Sequence, residues 1–351
     1  MIRVALVGCG RIADRHARLV SSFPEMQLAG VADSNVAKAE KFAAAFGGAP
    51  FADYREMIAK IRPDLVHVLT PSGTHAEIAL EAMETVENVL VEKPMALTLP
   101  DADAMIEKAQ RLGRRLFVVK QNRYNLPVVK LREALEAGRF GRLTLGAIRL
   151  RWCRRQEYYD QDPYRGTWAQ DGGALTNQAS HHIDMLQWMF GDVEEVFGAT
   201  ARQLVNIEAE DTGVAVVRFR NGALGTIEAT TAARPKDLEA SISVLGEHGT
   251  VEIGGFALNE MKQWSFEQPE DEDAEALSTY RANPPNVYGF GHHEYLADVI
   301  RSIRDGLPPP IDGRAGRKSL ELIVGIYESA ERHAPVTFPF RPEKCRLGKT
   351  A

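Results

Sequence analysis

The sequence RVALVGCGRIA, residues 3–13, decides the fold. Its first part is mostly apolar, as expected of a buried β-strand, and it ends in a turn that contains Gly8 and Gly10. In a strand–turn–helix unit, the first glycine allows the tight turn and the second lets the backbone approach a pyrophosphate. The third position needs only a small residue, here Ala13, and the amides at the start of the helix face the phosphate charge. These residues predict a dinucleotide-binding unit.

Short apolar runs alternate with helical patterns over residues 1–122. The predicted strands are Arg3–Val7, Gln27–Ala32, Leu65–Leu69, Asn88–Val91 and Arg115–Val119, and the predicted helices are Ile12–Ser22, Ala37–Ala45, Thr74–Met83 and Pro100–Leu112. This alternation predicts right-handed βαβ crossovers and a doubly wound parallel sheet with helices on both faces. We therefore expect an α/β chain that begins with a Rossmann domain over residues 1–122.

The pattern changes beyond residue 122, where β-type runs follow one another closely. The predicted strands are Leu143–Trp152, Val193–Gln203, Thr212–Phe219, Ala223–Thr231, Leu238–Leu245 and Gly249–Ile253, with helices at Val128–Ala137, Glu294–Asp305 and Gly316–Arg332. Asn221-Gly222 lies between two of the strands and indicates a hairpin. We expect a second, α+β domain over residues 123–351 with a large, open, mostly antiparallel sheet. Its exposed face predicts a homo-oligomer built by sheet packing, and the acidic segment Glu267–Asn286 is interpreted as a surface loop.

Composition narrows the class of protein. The 351 residues carry a net charge of −6, which argues against a non-specific nucleic-acid binder. No apolar run approaches the ~18–20 residues of a membrane span, and we expect no cleavable signal. The three cysteines form no CxxC pair, and the adjacent histidines at 181–182 and 292–293 lack metal-ligand spacing. We expect a cytoplasmic protein without a metal, and with neither nucleic acid nor membrane as a partner.

An acidic residue, Asp33, follows the second predicted strand about 20 residues after the glycine turn. A carboxylate at this place accepts hydrogen bonds from the adenosine ribose diol and repels a 2′-phosphate. Neither Ser34 nor Asn35 supplies the arginine that would neutralise such a phosphate. The sequence therefore favours NAD over NADP.

The tripeptide Glu92-Lys93-Pro94 follows a predicted strand at its carboxyl end, where open α/β sheets bind ligands. A lysine there can donate or accept a proton if its surroundings lower its pKa. By itself such a tripeptide is more typical of a surface salt pair followed by a turn proline.

Four motifs occur in order along the chain. They are Gly8-x-Gly10, Thr70-Pro71-x-x-x-His75, Glu92-Lys93-Pro94 and Gly172-Gly173…Asn177-x-x-x-His181. In this order and spacing they resemble the glucose–fructose oxidoreductase/inositol dehydrogenase (Gfo/Idh/MocA) family, over nearly the whole chain. The resemblance implies an NAD-dependent dehydrogenase, commonly a dimer or a tetramer.

The resemblance also implies roles for individual residues. Lys93 would shuttle a proton and hold the substrate near the nicotinamide, and His181 would be the general base or acid at the hydroxyl being oxidised. The implied cofactor-binding residues are Gly8, Gly10, Arg11, Ile12, Asp33, Thr70, Pro71, His75, Glu92, Lys93 and Gln121. These roles require Lys93 and His181 to flank a single cleft.

The family's usual aspartate, four residues before the histidine, is Asn177 in this chain. An amide carries no negative charge and does not raise the basicity of His181 as a carboxylate would, but it can still position a sugar hydroxyl. His182 is a competing base by sequence alone. Its neighbour Asp184 and the helical run that follows favour an oriented packing residue instead.

The segment from Arg151 to Trp168 is rich in arginine and aromatic residues and leads directly into the Gly172–His181 motif. An arginine fork matches carboxylate or phosphate oxygens, and aromatic rings suit sugars and a uracil. Composition alone favours a strand followed by a surface loop with scattered charge. The implied substrate-binding residues are Lys93, Asn122, Arg123, Tyr124, Arg154, Tyr158, Tyr159, Arg165, Asn177 and His181.

Residues 120–125 and 158–184 further resemble one branch of the family. That branch oxidises the C3 hydroxyl of a UDP-linked N-acetylated amino-sugar uronate (UDP-GlcNAcA) to a 3-keto sugar, in lipopolysaccharide and O-antigen sugar biosynthesis. Some of its members recycle NADH with 2-oxoglutarate, and the sequence leaves this open, as it does the arginine that would bind the uronate or diphosphate. The alternatives are a dehydrogenase of a free polyol such as inositol, and a non-catalytic NAD-binding regulator.

Overall fold

The computed structural model describes residues 1–255, 257–271, 273–281 and 291–350. Its first sheet has six parallel strands in the order β3-β2-β1-β4-β5-β6. The strands are β1 (Ile2–Val7), β2 (Met26–Ala32), β3 (Ala49–Phe51), β4 (Leu65–Val68), β5 (Asn88–Val91) and β6 (Arg115–Val118). The helices between them are α1 (Arg11–Ser22), α2 (Val36–Phe46), α3 (Tyr54–Ile61), α4 (His75–Ala82) and α5 (Leu99–Leu112). This strand order is that of a Rossmann fold, and the fold-class prediction is confirmed.

The second sheet has eight strands in the order β13-β12-β11-β7-β10-β9-β8-β14. They are β7 (Leu143–Arg151), β8 (Val193–Ala201), β9 (Thr212–Phe219), β10 (Leu224–Thr230), β11 (Glu239–Gly246), β12 (Gly249–Gly254), β13 (Glu260–Phe266) and β14 (Val336–Thr337). All neighbours are antiparallel except β7 and β10. The predicted hairpin at Asn221-Gly222 joins β9 to β10, with Gly222 at a φ of +89°.

The remaining helices come mostly from the second half of the chain. They are α6 (Leu126–Glu136), α7 (Gln156–Tyr159), α8 (Ser180–Phe190), α9 (Asp273–Thr279), α10 (Gly291–Asp305) and α11 (Gly313–Arg332). Side chains of α8 pack directly on β7, where Gly146 leaves no room for a Cβ beside Phe190 and Leu186. Buried and open positions alternate along β7, β9 and β10, so the sheet covers a core with one face only.

The chain divides into two compact units, Met1–Lys120 with His293–Arg317, and Gln121–His292 with Lys318–Ala351 as far as these are described. The segment His293–Arg317 belongs to the first unit because it pairs with β6: the Tyr295 hydroxyl donates to the Val118 carbonyl at 3.0 Å, and the Val118 amide donates to the Ile311 carbonyl at 3.0 Å. A domain boundary at residue 122 stays a prediction.

The interpretation of Glu267–Asn286 as a loop was wrong for its middle, which forms α9, while its residues 272 and 282–286 lie outside the described part of the chain. Asp273 at the start of α9 accepts hydrogen bonds from Arg139, at 2.9 and 2.6 Å, and from the Trp264 indole at 2.5 Å. Arg139 is 134 positions away, so the local pattern does not reveal this contact. No helix in the described ranges is long and apolar enough to cross a membrane.

Candidate active site

The glycine turn after β1 is shaped for close approach of a ligand to the backbone. Gly8 has a φ of +99°, and a Cβ there would lie 2.9 Å from the Leu69 carbonyl oxygen, so only glycine fits. Gly10 precedes α1, and no atom of the described residues lies within 4 Å of a Cβ built on it. Ala13 is fully buried. The turn therefore leaves an open cradle at a helix N-terminus, which fits a pyrophosphate.

Asp33, at the end of β2, is fixed against the glycine turn. Its carboxylate accepts hydrogen bonds from the Cys9 amide at 3.0 Å and from the Asn35 amide at 2.9 Å. Burial, helped by Asp33, raises the pKa of the Cys9 thiol to about 12, so Cys9 is no nucleophile. The turn and the carboxylate expected to bind the ribose thus form one rigid element.

His75 connects the loops that follow β4 and β5. Its ring nitrogens lie 2.8 Å from the Thr70 carbonyl and 2.8 Å from the Pro94 carbonyl. Burial lowers the pKa of His75, and a neutral ring has a single proton to share between the two carbonyls. His75 therefore supports the Thr70-Pro71 loop from the interior of the protein. A direct contact of His75 with the cofactor stays a prediction.

Lys93 is positioned by a buried chain of three side chains. The Glu92 carboxylate accepts from the Lys93 amide at 3.0 Å and lies 3.0 Å from Nε2 of His16. Nδ1 of His16 lies 3.0 Å from Nδ1 of His67. Burial and His16 lower the pKa of His67, so it is neutral, and the simplest proton arrangement has His67 donating to His16 and His16 donating to Glu92. Sequence analysis did not find His16 or His67.

His181 lies in the first turn of α8, and its Nε2 is 3.0 Å from the Gln121 side-chain amide. Because an amide nitrogen donates, Nε2 is the unprotonated nitrogen of the ring in this contact. Two buried oxygens, Oε1 of Gln121 and Oδ1 of Asn122, have no hydrogen-bond partner among the described residues. Buried polar atoms nearly always have a partner, and a role of these two residues in ligand binding stays a prediction.

Asn177 belongs to a chain of hydrogen bonds that includes two other candidate substrate residues. Its amide donates to Asp171, and its carbonyl accepts from the Gln178 amide at 2.9 Å. Gln178 also donates to the Tyr158 hydroxyl at 3.0 Å, which accepts from Arg165 at 2.7 Å. Asn177, Tyr158 and Arg165, predicted from different parts of the sequence, are therefore brought together.

Other candidate residues are committed to different partners. Tyr159 is buried with its hydroxyl 2.9 Å from Thr231, and burial raises its pKa to about 12. Arg154 donates to Asp237 at 3.0 Å with its guanidinium 4.9 Å from the Trp152 ring centre. Tyr124 is half-buried in the short helical turn that begins at Gln121.

Arg123 donates two hydrogen bonds, of 2.8 and 2.9 Å, to the Asp184 carboxylate, and its guanidinium lies 4.7 Å from the Trp188 ring centre. The Asp184 carboxylate is therefore paired with Arg123. Burial lowers the pKa of His182 to about 3, and neither ring nitrogen has a partner in the described part of the chain. His182 is a neutral packing residue.

The Rossmann sheet, the glycine turn and Asp33 define a dinucleotide-dependent oxidoreductase. The chain belongs to the Gfo/Idh/MocA oxidoreductase family. The family's NAD-binding Rossmann fold matches residues 2–120, and its C-terminal alpha/beta domain matches residues 132–338. The chain is an NAD-dependent dehydrogenase, and a non-catalytic regulator is no longer an alternative.

Similar proteins include two WlbA dehydrogenases whose crystal structures contain NADH and UDP-GlcNAcA. The one from Bordetella pertussis is 40% identical, over 97% of this chain and 99% of its own, with a TM-score of 0.90. The one from Chromobacterium violaceum is 41% identical, over 97% of this chain and 96% of its own, with a TM-score of 0.91. A myo-inositol 2-dehydrogenase from Thermotoga maritima is 28% identical over 95% of this chain and 98% of its own.

Proposed function

We propose that the enzyme uses NAD⁺ to oxidise the C3 hydroxyl of UDP-GlcNAcA to the 3-keto sugar, in the biosynthesis of lipopolysaccharide sugars. The observation that carries this proposal is the similarity of the whole chain to two dehydrogenases solved with NADH and UDP-GlcNAcA, at 40% and 41% identity. The inositol dehydrogenase is less similar, at 28% identity.

In the proposed reaction, the hydroxyl proton leaves for a base of the enzyme as the C3–H bond breaks and the carbonyl forms. Bound NAD⁺ supplies the hydride acceptor. His181 is suited to be the base, because its Nε2 is an acceptor in its contact with Gln121 and a substrate hydroxyl can replace that amide. Lys93, which Glu92 holds by its backbone, would share the proton transfer and orient the hydroxyl.

Asn177 is proposed to position a sugar hydroxyl rather than to tune His181 by charge. Its amide nitrogen is held by Asp171 and its oxygen accepts from Gln178 at 2.9 Å. These two contacts fix the plane of the Asn177 amide, and with it the direction in which the amide would meet a sugar hydroxyl. Tyr158 and Arg165 continue this polar surface and would meet another part of the substrate.

Turnover with defined substrates tests the proposal. The purified enzyme is incubated with NAD⁺ and either UDP-GlcNAcA or myo-inositol, with and without 2-oxoglutarate, and products are identified by mass spectrometry. We expect a 3-keto product from UDP-GlcNAcA and at least a hundredfold loss of kcat in Lys93→Met and His181→Asn. The control variants Lys41→Met and His333→Asn change exposed residues of the same type. A folded enzyme that oxidises only inositol would establish the alternative substrate class.

We further propose a homo-oligomer, a dimer or a tetramer, in which a second copy of the chain covers the open face of the second sheet. On that face Phe197 pairs with Val216 and Leu145 pairs with Leu224, and all four side chains are exposed. A contiguous exposed apolar patch of this kind marks an interaction surface. Val216→Glu should shift the sedimentation coefficient to that of the monomer, whereas Leu126→Glu, at an exposed leucine on α6, should leave it unchanged.

A cytoplasmic location is proposed on chemical grounds. Cys9, Cys153 and Cys345 are all free thiols. Free cysteines without disulfides are typical of a reducing compartment.

A further inference from the structure

The turn that carries Asn177 and leads into His181 has an uncommon geometry. Residues Ala174–Gln178 form a π-turn, in which the Ala179 amide donates to the Ala174 carbonyl at 2.9 Å, and α8 follows directly. Such turns occur mostly as single turns and frequently at functional sites. A π-turn is less favourable than a regular helix, so other contacts must hold it.

Glu210, in the loop before β9, holds the start of this turn. Its backbone carbonyl accepts from the Ala174 amide at 3.0 Å, and its carboxylate Oε1 accepts from the Leu175 amide at 2.8 Å. The first amides of a helical segment have no acceptor within the segment, and the Glu210 backbone and side chain supply two. Gly173 permits the approach, because a Cβ there would overlap the carbonyl and carboxylate of Glu210.

Tyr327, on α11, contacts both the Glu210 carboxyl group and the π-turn. Its hydroxyl donates to Oε1 of Glu210 at 2.9 Å and lies 2.8 Å from the Thr176 hydroxyl, which must then donate to it. Glu210, Tyr327 and Thr176 are exposed by 3%, 1% and 0%, so water does not replace these bonds. A loop and a helix from distant parts of the chain thus meet on one π-turn.

We propose that Glu210, supported by Tyr327, is a positioning residue for the dehydrogenase reaction. It fixes the π-turn and thereby sets where Asn177 and His181 meet the substrate. This inference rests on the roles proposed above for Asn177 and His181. Glu210 itself touches neither cofactor nor substrate in this account, and it acts only through the backbone of the turn.

The test compares Glu210→Ala with the conservative Glu210→Gln. Alanine removes the acceptor for Leu175 and Tyr327, whereas the glutamine carbonyl can still accept both bonds. Turnover is normalised to the number of NADH-binding sites, which counts only folded enzyme. We expect kcat to fall at least tenfold in Glu210→Ala and to stay within about threefold of wild type in Glu210→Gln, with the KM for NAD⁺ within about twofold in both.

A matched control is Glu208→Ala, since the Glu208 carboxylate also accepts a backbone amide, that of Trp168 at 3.0 Å, but does not touch the π-turn. Its kcat should stay within about twofold of wild type. Tyr327→Phe removes only a hydroxyl, so it tests the positioning role even if Glu210→Ala does not fold. Its kcat should fall by about threefold to tenfold. Hydrogen exchange of residues 173–181, followed by mass spectrometry, should accelerate in Glu210→Ala but not in Glu210→Gln.

The outcomes separate this inference from the proposed substrate. A wild-type enzyme that oxidises neither UDP-GlcNAcA nor myo-inositol overturns the proposed substrates, and the exchange experiment then decides the role of Glu210. Unchanged exchange in Glu210→Ala, or wild-type kcat per NADH site in both Glu210→Ala and Tyr327→Phe, overturns the inference. Equal damage in Glu210→Gln and Glu210→Ala also overturns it, because a lost hydrogen-bond acceptor would not then be the cause.

Discussion

Glu210 makes the stability of this enzyme depend on pH in a way that can be measured. Burial and, to a smaller extent, nearby Asp211 raise the pKa of its carboxyl group from 4.5 to about 7, against the opposing hydrogen bonds from Leu175 and Tyr327. Its second oxygen, Oε2, has no hydrogen-bond partner within the described ranges. The protonated form is therefore favoured in the folded protein.

The sign follows from proton linkage. Between pH 4.5 and pH 7 the folded chain holds a proton on Glu210 that the unfolded chain has lost. The contribution to stability is therefore complete below pH 4.5 and is lost as the pH rises through about 7. At about 1.4 kcal/mol for each unit of pKa difference, the loss between pH 5 and pH 8 is about 2–3 kcal/mol.

The assay is urea unfolding at pH 5, 6, 7 and 8, followed by tryptophan fluorescence. All four tryptophans, at positions 152, 168, 188 and 264, lie in the unit that contains Glu210. Other groups titrate too, so Glu210→Gln, which cannot ionise, provides the reference. Glu194→Gln removes a carboxylate of the same type at an exposed position of β8 and controls for net charge.

We expect the free energy of unfolding of Glu210→Gln, compared with wild type, to rise by about 2 kcal/mol between pH 5 and pH 8, while Glu194→Gln follows wild type. If Glu210→Gln and wild type change in parallel to within about 0.5 kcal/mol, then Glu210 does not titrate in this range. The account of its buried, half-paired carboxyl group would then be refuted.

Other substitutions separate folding from cofactor binding and proton transfer. Gly8→Ala should lower the free energy of unfolding by about 1–3 kcal/mol, because Gly8 has a positive φ and a Cβ there would lie close to the Leu69 carbonyl. Gly10→Ala should leave the Tm unchanged but weaken NADH binding about tenfold in a fluorescence titration. Asp33→Ala should raise the KM for NAD⁺ about tenfold and reduce the discrimination against NADP⁺. His67→Leu removes the donor to His16 at 3.0 Å and should lower kcat about fivefold with the KM for NAD⁺ unchanged. A normal kcat would show that the hydrogen bond between His67 and His16 does not contribute to the function of Lys93.

The fold could be predicted where local pattern and burial agree. β4 and β5 are buried along their whole length, so each is a short, mostly apolar run and is easily recognised. β3 has only three residues, none of them fully buried, and gave no signal. α3 was missed although Asp53 caps it through a 2.8 Å bond from the Arg55 amide, a signal that the sequence does contain.

Local pattern also explains which residues of the site could be predicted from the sequence and which were missed. The glycine turn and Asp33 could be predicted because one supersecondary unit contains them all. His16 contacts residues 51 and 76 positions away, and Glu210 contacts Tyr327 117 positions away. In the sequence His16 lies among charged residues and Glu210 lies next to Asp211, so neither residue stands out, and only the tertiary structure supplies its partner.

The candidate anion-binding arginines illustrate why residue type alone does not define a binding site. Arg123 was selected for its fork, yet that fork is already used by Asp184 through two bonds. Arg165 is also paired with an aspartate, Asp162, at 3.0 Å, but another of its nitrogens donates to Tyr158 at 2.7 Å and through it reaches the chain that ends at Asn177. A guanidinium has five donor hydrogens, so an ion pair leaves donors free but fixes the direction in which they point. An anion at Arg165 would therefore act on the residues that are proposed to hold the sugar, whereas Arg123 holds α8 through Asp184.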